Sequence, residues 1–132
     1  MMNIWTQLRH FTIGERWGDA SKMNGALLLI LEELRTNIGL PFVVHCGYET
    51  EGHSEYSEHY DGNAIDFHVI GADVKEIGKR ILEILEALQV GDRVGFGIYM
   101  DWRDKGFHLD LRGVKARWAR VDGEYVGINT VI

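Results

Sequence analysis

The sequence predicts an α+β fold with a largely antiparallel sheet and helices packed on one side of it. Two segments repeat apolar residues at helical spacing, several short segments alternate apolar and polar residues, and Asp122-Gly123 is a two-residue hairpin signal. Leu27, Leu28, Ile30, Leu31, Leu34 and Ile38 define the first helix, with Asp19 or Ser21 placed to cap its start and Gly39 to end it. Pro41 forces an extended exit over Phe42 to Cys46, and Ala64 to Val69, bounded by Gly62 and Gly71, reads as a strand. Asp73 with Glu76 resembles a capping box opening a second helix, whose Val74, Ile77, Ile81, Ile84, Leu85 and Leu88 share one face and which ends near Gly91-Asp92. Arg93 to Tyr99 and Phe107 to Leu111 alternate like half-buried strands, and Trp118 to Val121 and Glu124 to Ile128 flank the hairpin turn.

A chain of 132 residues without internal repeats, low-complexity tracts or a Pro/Gly/Ser linker is expected to form one unit, residues 1–132, that folds without a staple. The single cysteine, Cys46, excludes an internal disulfide and suits a reducing compartment; it reads as a small buried apolar residue. Fourteen basic against twenty acidic residues give a net charge of −6, which weighs against nucleic acid as a partner, and the basic run Arg112 to Arg120 reads as a solvated strand face. The longest apolar stretch, Ala26 to Leu31, falls far short of the roughly 20 residues a bilayer span needs, so no membrane is expected. Met1 to His10 lacks the pattern of an export signal, which implies cytoplasmic synthesis, and a monomer is expected.

The chemistry concentrates in two places. On a strand, Ala64, Asp66 and His68 share a face, as do His108 and Asp110 on theirs. Asp66 lies between Ile65 and Phe67, and His108 between Phe107 and Leu109. A carboxylate in an apolar strand is costly to bury without a partner, so a shared cation accounts for both intrusions. His59 precedes the strand in a stretch where Gly62 lets the chain bend back toward it, and the small Ala64 leaves room beside the site. Two imidazoles and one carboxylate leave a fourth tetrahedral position for water, the layout of catalytic zinc.

The run Ser57, His59, Gly62, Ala64 and Asp66 meets every defined position of Ser-x-His-x-x-Gly-x-Ala-x-Asp. Gly95-Phe96-Gly97-Ile98-Tyr99 precedes His108 in Phe-His-Leu-Asp-Leu-Arg-Gly. In these motifs the chain resembles the zinc D-Ala-D-Ala carboxypeptidase and L-alanyl-D-glutamate peptidase family, which shares its fold with the hedgehog signalling domain. The likeness runs from Phe11 and Glu15 to Ala116-Arg117-Trp118. It implies that His59, Asp66 and His108 hold Zn²⁺ and that the substrate is a peptide of bacterial peptidoglycan or its precursors.

Two positions depart from that family. The carboxylate expected three residues before the second zinc histidine is Lys105. Asp104 is then the favoured proton carrier, followed by Asp101 and by Asp110, which shares the His108 face. Where the family commonly reads Gly-Tyr-Arg, this chain has Gly47-Tyr48-Glu49. Glu49 would repel a terminal carboxylate, which favours an endopeptidase over a carboxypeptidase unless Arg103 or Arg112 substitutes. Ser57, His68, Tyr48, Glu49, Trp102 and Arg112 are expected to contact substrate or support the ligands, with His45, His53, Tyr60 and Trp118 beside the cleft. A phage-type lysis enzyme (an endolysin or virion-associated hydrolase) or a cytoplasmic peptidase fits this reading. The rival is a zinc-bearing binding module without catalysis.

Overall fold

The computed structural model describes residues 3–132; Met1 and Met2, at the head of the segment read for an export signal, lie outside them. Helix α1 spans Gly25–Ile38 and α2 spans Val74–Ala87; the strands are β1 Phe42–Cys46, β2 Ala64–Val69, β3 Gly95–Tyr99, β4 Gly106–Asp110, β5 Ala116–Val121 and β6 Glu124–Val126. They form a six-stranded sheet in the order β1-β2-β4-β3-β5-β6. Neighbours are antiparallel except β3 and β5, which run parallel. The predicted α+β architecture is therefore observed; β4 lies one residue earlier than predicted, β5 starts at Ala116 rather than Trp118, β6 stops at Val126 with Ile128 in a 3₁₀ turn, and two helix ends are adjusted.

The first adjustment is at the start of α1. Met23 is extended, with ψ 137°, and separates the helix from the short 3₁₀ turn Ala20–Lys22. Asp19 caps that turn through Ser21 N, while Asn24 caps α1 by accepting from Leu27 N at 3.1 Å. Gly39 ends α1 in the left-handed conformation, as its sequence position predicts. The second adjustment is at the end of α2, which stops at Ala87 rather than near Gly91. Gln89 takes φ 60° and breaks the helix, Gly91–Arg93 forms a separate 3₁₀ turn, and β3 starts only at Gly95. Asp73 caps α2 through the N–H groups of Lys75 and Glu76, and both Asp122 and Gly123 adopt the positive φ that a two-residue hairpin turn requires.

Alternation divides the sheet into two unlike faces. Ile65 and Phe67 of β2, Phe96 and Ile98 of β3 and Phe107 and Leu109 of β4 enter one core cluster with Leu27, Leu31 and Leu34 of α1 and Ile77, Ile81 and Leu85 of α2. Phenylalanine rings form a ladder across four adjacent strands, with centroids 5.0 Å apart for Phe42 and Phe67, 5.5 Å for Phe67 and Phe107 and 5.5 Å for Phe107 and Phe96. The opposite face carries Asp66, His108, Asp110, Trp118 and Arg120.

The segment preceding α1 is tied to that helix by one buried carboxylate. Glu32 Oε1 accepts from Arg9 N at 2.7 Å and His10 N at 2.9 Å, and Oε2 is hydrogen-bonded to the His10 ring. Burial favours the neutral acid, but the His10 ring and the two amides outweigh it and hold Glu32 below its ordinary 4.5. The folded state therefore binds this proton less readily than the unfolded chain does. Its contribution to stability is complete above about pH 4.5 and is lost as pH falls through the lowered folded value. Glu32→Ala is expected to cost about 1–3 kcal/mol at pH 7 in urea unfolding, because two amides lose their acceptor. The gap to wild type narrows below about pH 4.5; a gap of equal size at pH 7 and pH 3 would show that the carboxylate charge contributes nothing.

Candidate metal centre

The Ser57-to-Asp66 segment places two of the predicted ligands by local rules. Ser57 caps the 3₁₀ turn Glu58–Asp61 by accepting from His59 N at 3.2 Å. Gly62 ends that turn at φ 67°, where a Cβ would lie 1.9 Å from Lys22 O, so no other residue fits. Asn63 Nδ2 ties the turn to the far end of β4 by donating to Leu111 O at 2.6 Å. His59 is thereby buried, with 2% of its side chain exposed, and donates Nδ1–H to Gly47 O at 2.8 Å. That bond turns Nε2 toward Asp66 Oδ1, 3.3 Å away.

The third ligand arrives from β4. Asp66 and His108 are direct partners in the β2–β4 register, and His108 Nδ1 lies 2.8 Å from the same Asp66 Oδ1. His108 Nε2 is held at 2.7 Å by Asp110 Oδ2, and Asp110 is fully buried. Arg112 grips Asp110 with two parallel bonds of 2.8 and 2.7 Å, and Gly95 N donates to Asp110 Oδ1 at 3.2 Å. Ala64 pairs with Asp110 in the register, so the small residue of the motif lies beside this ion pair. Glycine spacing in β3 completes the support. A Cβ on Gly95 would come within 2.6 Å of Asp110 and Arg112, and one on Gly97 within 2.3 Å of Trp118 Nε1. Those two bare positions let the Arg112–Asp110 pair and the Trp118 indole lie against the sheet beside His108.

The donor set fits a metal ion. The ligand atoms of His59, Asp66 and His108 lie within 4.8 Å of one another. A His59 that donates Nδ1–H to a carbonyl presents its Nε2 lone pair to an ionised carboxylate, an arrangement that a cation between them relieves. For tetrahedral zinc with bonds of about 2.0 Å, neighbouring ligand atoms stand about 3.3 Å apart; the His59–Asp66 separation is 3.3 Å. Burial would raise Asp66, but the hydrogen bond from His108 and the proximity of the two imidazoles prevail and hold it well below the usual carboxylate range. Burial likewise disfavours His108 imidazolium, yet Asp110 and Asp66 prevail and push its pKa up to about 9. Asp110 is held far down against burial by Arg112 and His108. The centre is thus a cation-seeking group of carboxylates with both outer ring nitrogens fixed by second partners.

Cys46 is the site residue that the sequence reading missed. It sits opposite Asp66 across an irregular step in β1, with Sγ 3.4 Å from Asp66 Oδ2 and 3.9 Å from His59 Nδ1. With His53 and His59 it forms a second possible donor group. Burial and the Asp66 charge push the thiol far up, so it stays protonated and donates to Asp66 instead of offering a thiolate. Strand alternation hid it, because the bulge after Val44 shifts the face on which residue 46 points.

The other expected residues are distributed around this centre. A cleft of about 1020 Å³ runs over His59, Asp66, His108, Trp118 and Arg120, with Ser57 and Arg112 in its walls. Asp101 is committed elsewhere: both oxygens accept from Arg120 Nε, at 3.2 and 3.0 Å, and Oδ2 also from Gly123 N at 2.8 Å. Asp104 is exposed and borders a smaller hollow of about 440 Å³ together with Arg16, His45, Asp66, Trp102 and Arg103. His68 is bonded to His45 at 2.6 Å, Trp102 stacks on Tyr99 at 4.4 Å, and His53 stacks on His59 at 4.2 Å. Tyr60 clasps His53 through its hydroxyl, accepting from His53 N and donating to His53 O. Tyr48 and Glu49 act mainly through their amides, which donate to Trp17 O and His59 O, while the Tyr48 ring packs on the core.

No curated protein matches the chain significantly. Residues 9–110 match the family model Peptidase M15, a stretch that holds all three predicted ligands and Asp110, and the chain therefore belongs to that family of peptidases.

Proposed function

We propose that this chain is a zinc-dependent peptidase cleaving peptidoglycan stem peptides or their precursors, an endopeptidase rather than a carboxypeptidase, with His59, Asp66 and His108 as its metal ligands. The observation that carries the reading is the convergence of those three side chains, with both histidine rings turned inward by a fixed partner. Bound there, zinc supplies Lewis acidity for a scissile carbonyl and makes water acidic enough to attack at neutral pH. Gly47 O holds the His59 ring with Nε2 inward, and Asp110 does the same for His108 Nδ1 while Arg112 prevents Asp110 from turning away. Asp104 is the proton carrier in this reading: Asp110 and Asp101 are both committed to arginines, whereas Asp104 faces a hollow that reaches Asp66. Glu49 at the position of an expected arginine supports cleavage inside a peptide. The net charge of −6 speaks for a peptide partner over nucleic acid, and no helix of the described residues is long and apolar enough to cross a membrane. A monomer acting either in phage-type lysis or on cytoplasmic precursors fits these features. Lys105 and the commitment of two of the three candidate carboxylates favour one rival, a zinc-bearing binding module.

Metal analysis after dialysis is expected to find about one zinc per wild-type chain and far less in His59→Ala and His108→Ala, while Asp110→Asn weakens affinity about 10–100-fold. Full zinc occupancy in His59→Ala would remove it from the ligand set.

Zinc-loaded protein is expected to cut purified peptidoglycan and a synthetic L-Ala-D-Glu-Lys-D-Ala-D-Ala peptide at an internal bond, read by mass. Asp104→Asn lowers kcat about 10²–10⁴-fold with zinc content intact. Release of D-Ala alone would make it a carboxypeptidase, and absence of cleavage at full zinc occupancy would favour the binding module.

A further inference from the structure

We infer that Arg120 is a specificity residue that reads a carboxylate on the substrate two to three residues from the bond being cut. The inference rests on the peptidase reading for the position of that bond. Arg120 lies on the metal-bearing face of β5, lines the cleft, and stands in register with Tyr99 and Tyr125.

Its guanidinium is immobilised before any ligand arrives. The guanidinium carbon sits 4.9 Å from the Tyr99 ring centre and 5.8 Å from that of Tyr125. Asp101, itself anchored by Gly123 N, accepts only the Nε–H. The two terminal amino groups donate to no carboxylate or carbonyl among the described residues and have the neutral Tyr125 hydroxyl beside them, a partner that a carboxylate would outcompete. They form the end-on fork that matches a carboxylate in two parallel bonds, and a side chain already locked in place loses little further freedom on binding one. Arg112 cannot serve this purpose, since Nε and a terminal amino group are both spent on Asp110 and the group stacks on Trp118 at 5.0 Å. Arg103 borders the other hollow.

The register gives the distance. His108 faces Gly97, Gly97 faces Trp118, and Arg120 lies two residues further along β5. Two strand spacings of about 4.8 Å and two residue steps of about 3.3 Å separate the Arg120 and His108 backbones by about 12 Å. Allowing for side-chain reach, an extended peptide advancing about 3.3 Å per residue puts its acidic group two to three residues from the metal-facing bond. A carboxylate read at that distance does not adjoin the scissile bond, in keeping with Glu49 standing where an arginine was expected.

The test uses stem-type peptides with amidated C termini, each carrying its single acidic residue at a different position, beside carboxamide twins. For wild type, KM is expected to be about tenfold lower for the acid than for the twin when the acid lies two to three residues from the cut. Arg120→Gln abolishes that ratio, read as acid against twin within the same variant so that any change in kcat from loosening the Asp101 loop cancels. Arg120→Lys keeps the charge but not the fork and gives an intermediate ratio, so it decides the matter if the glutamine variant fails to fold. Retention of the wild-type ratio in either variant overturns the inference. Binding of the same peptides, followed by Trp102 and Trp118 fluorescence, separates the two readings. Acid-dependent binding that vanishes in Arg120→Gln, without cleavage by any form, sinks the peptidase and upholds Arg120; cleavage with unchanged discrimination does the opposite.

Discussion

The candidate metal centre depends on strand register. Asp66 and His108 meet because β2 and β4 pair them directly, and that pairing is enforced from the other side of the sheet. Ile65, Phe67, Phe107 and Leu109 are at most 1% exposed and point into the core. A slip of one residue by either strand would turn its two large apolar side chains to the cleft and drive a carboxylate and an imidazole among the phenylalanine rings. At about 1.5–3 kcal/mol for each buried large side chain, with the cost of burying a charge in addition, that alternative is out of reach for a domain of ordinary stability. Hydrophobic packing on one face thus positions chemistry on the other, without the site having to stabilise itself.

The polar groups of the site are arranged so that none bears its charge alone. Asp110 would be a costly buried anion, and Arg112 and His108 neutralise it. Asp66 receives two imidazoles and a thiol. The glycines of β3 belong to the same design, since any side chain at 95 or 97 would displace Asp110, Arg112 or Trp118 from the sheet surface. Support around His108 therefore reaches four strands, from Asp66 on β2 to Trp118 on β5. It is this breadth that lets protein groups fix both ring nitrogens of His108.

Much of this was legible in the sequence for physical reasons. Apolar spacing gave both helices, and alternation gave the strands and put Asp66 and His108 on matching faces. The motif residues Ser57, Gly62 and Ala64 each follow from backbone geometry: a cap, a left-handed turn and a small neighbour for Asp110. What stayed hidden depends on pairings between segments distant in the chain. Asp110 reads as a free acid until Arg112 is seen to hold it, and the basic run Arg112 to Arg120 reads as a solvated face although Arg112, Arg117 and Arg120 are all bonded and the last two are partly buried. Cys46 was obscured by a bulge and the α1 cap by an extended Met23, both local irregularities with no period to betray them.

The Asp101–Arg120 pair joins what would otherwise be separate parts of the molecule. Asp101 opens the loop that carries Trp102, Arg103 and Asp104, and its carboxylate is pinned to β5 through Arg120 and to the β5–β6 turn through Gly123. Trp102 leaves the same loop to stack on Tyr99, the ring beneath the Arg120 guanidinium. The start of the loop that carries Asp104 is therefore anchored through Arg120 and Gly123. On the proposed reading, recognition by Arg120 and proton transfer by Asp104 meet in one short loop, whose anchor, and not a fixed offset from His108, would place the carboxylate where Lys105 stands in its expected position.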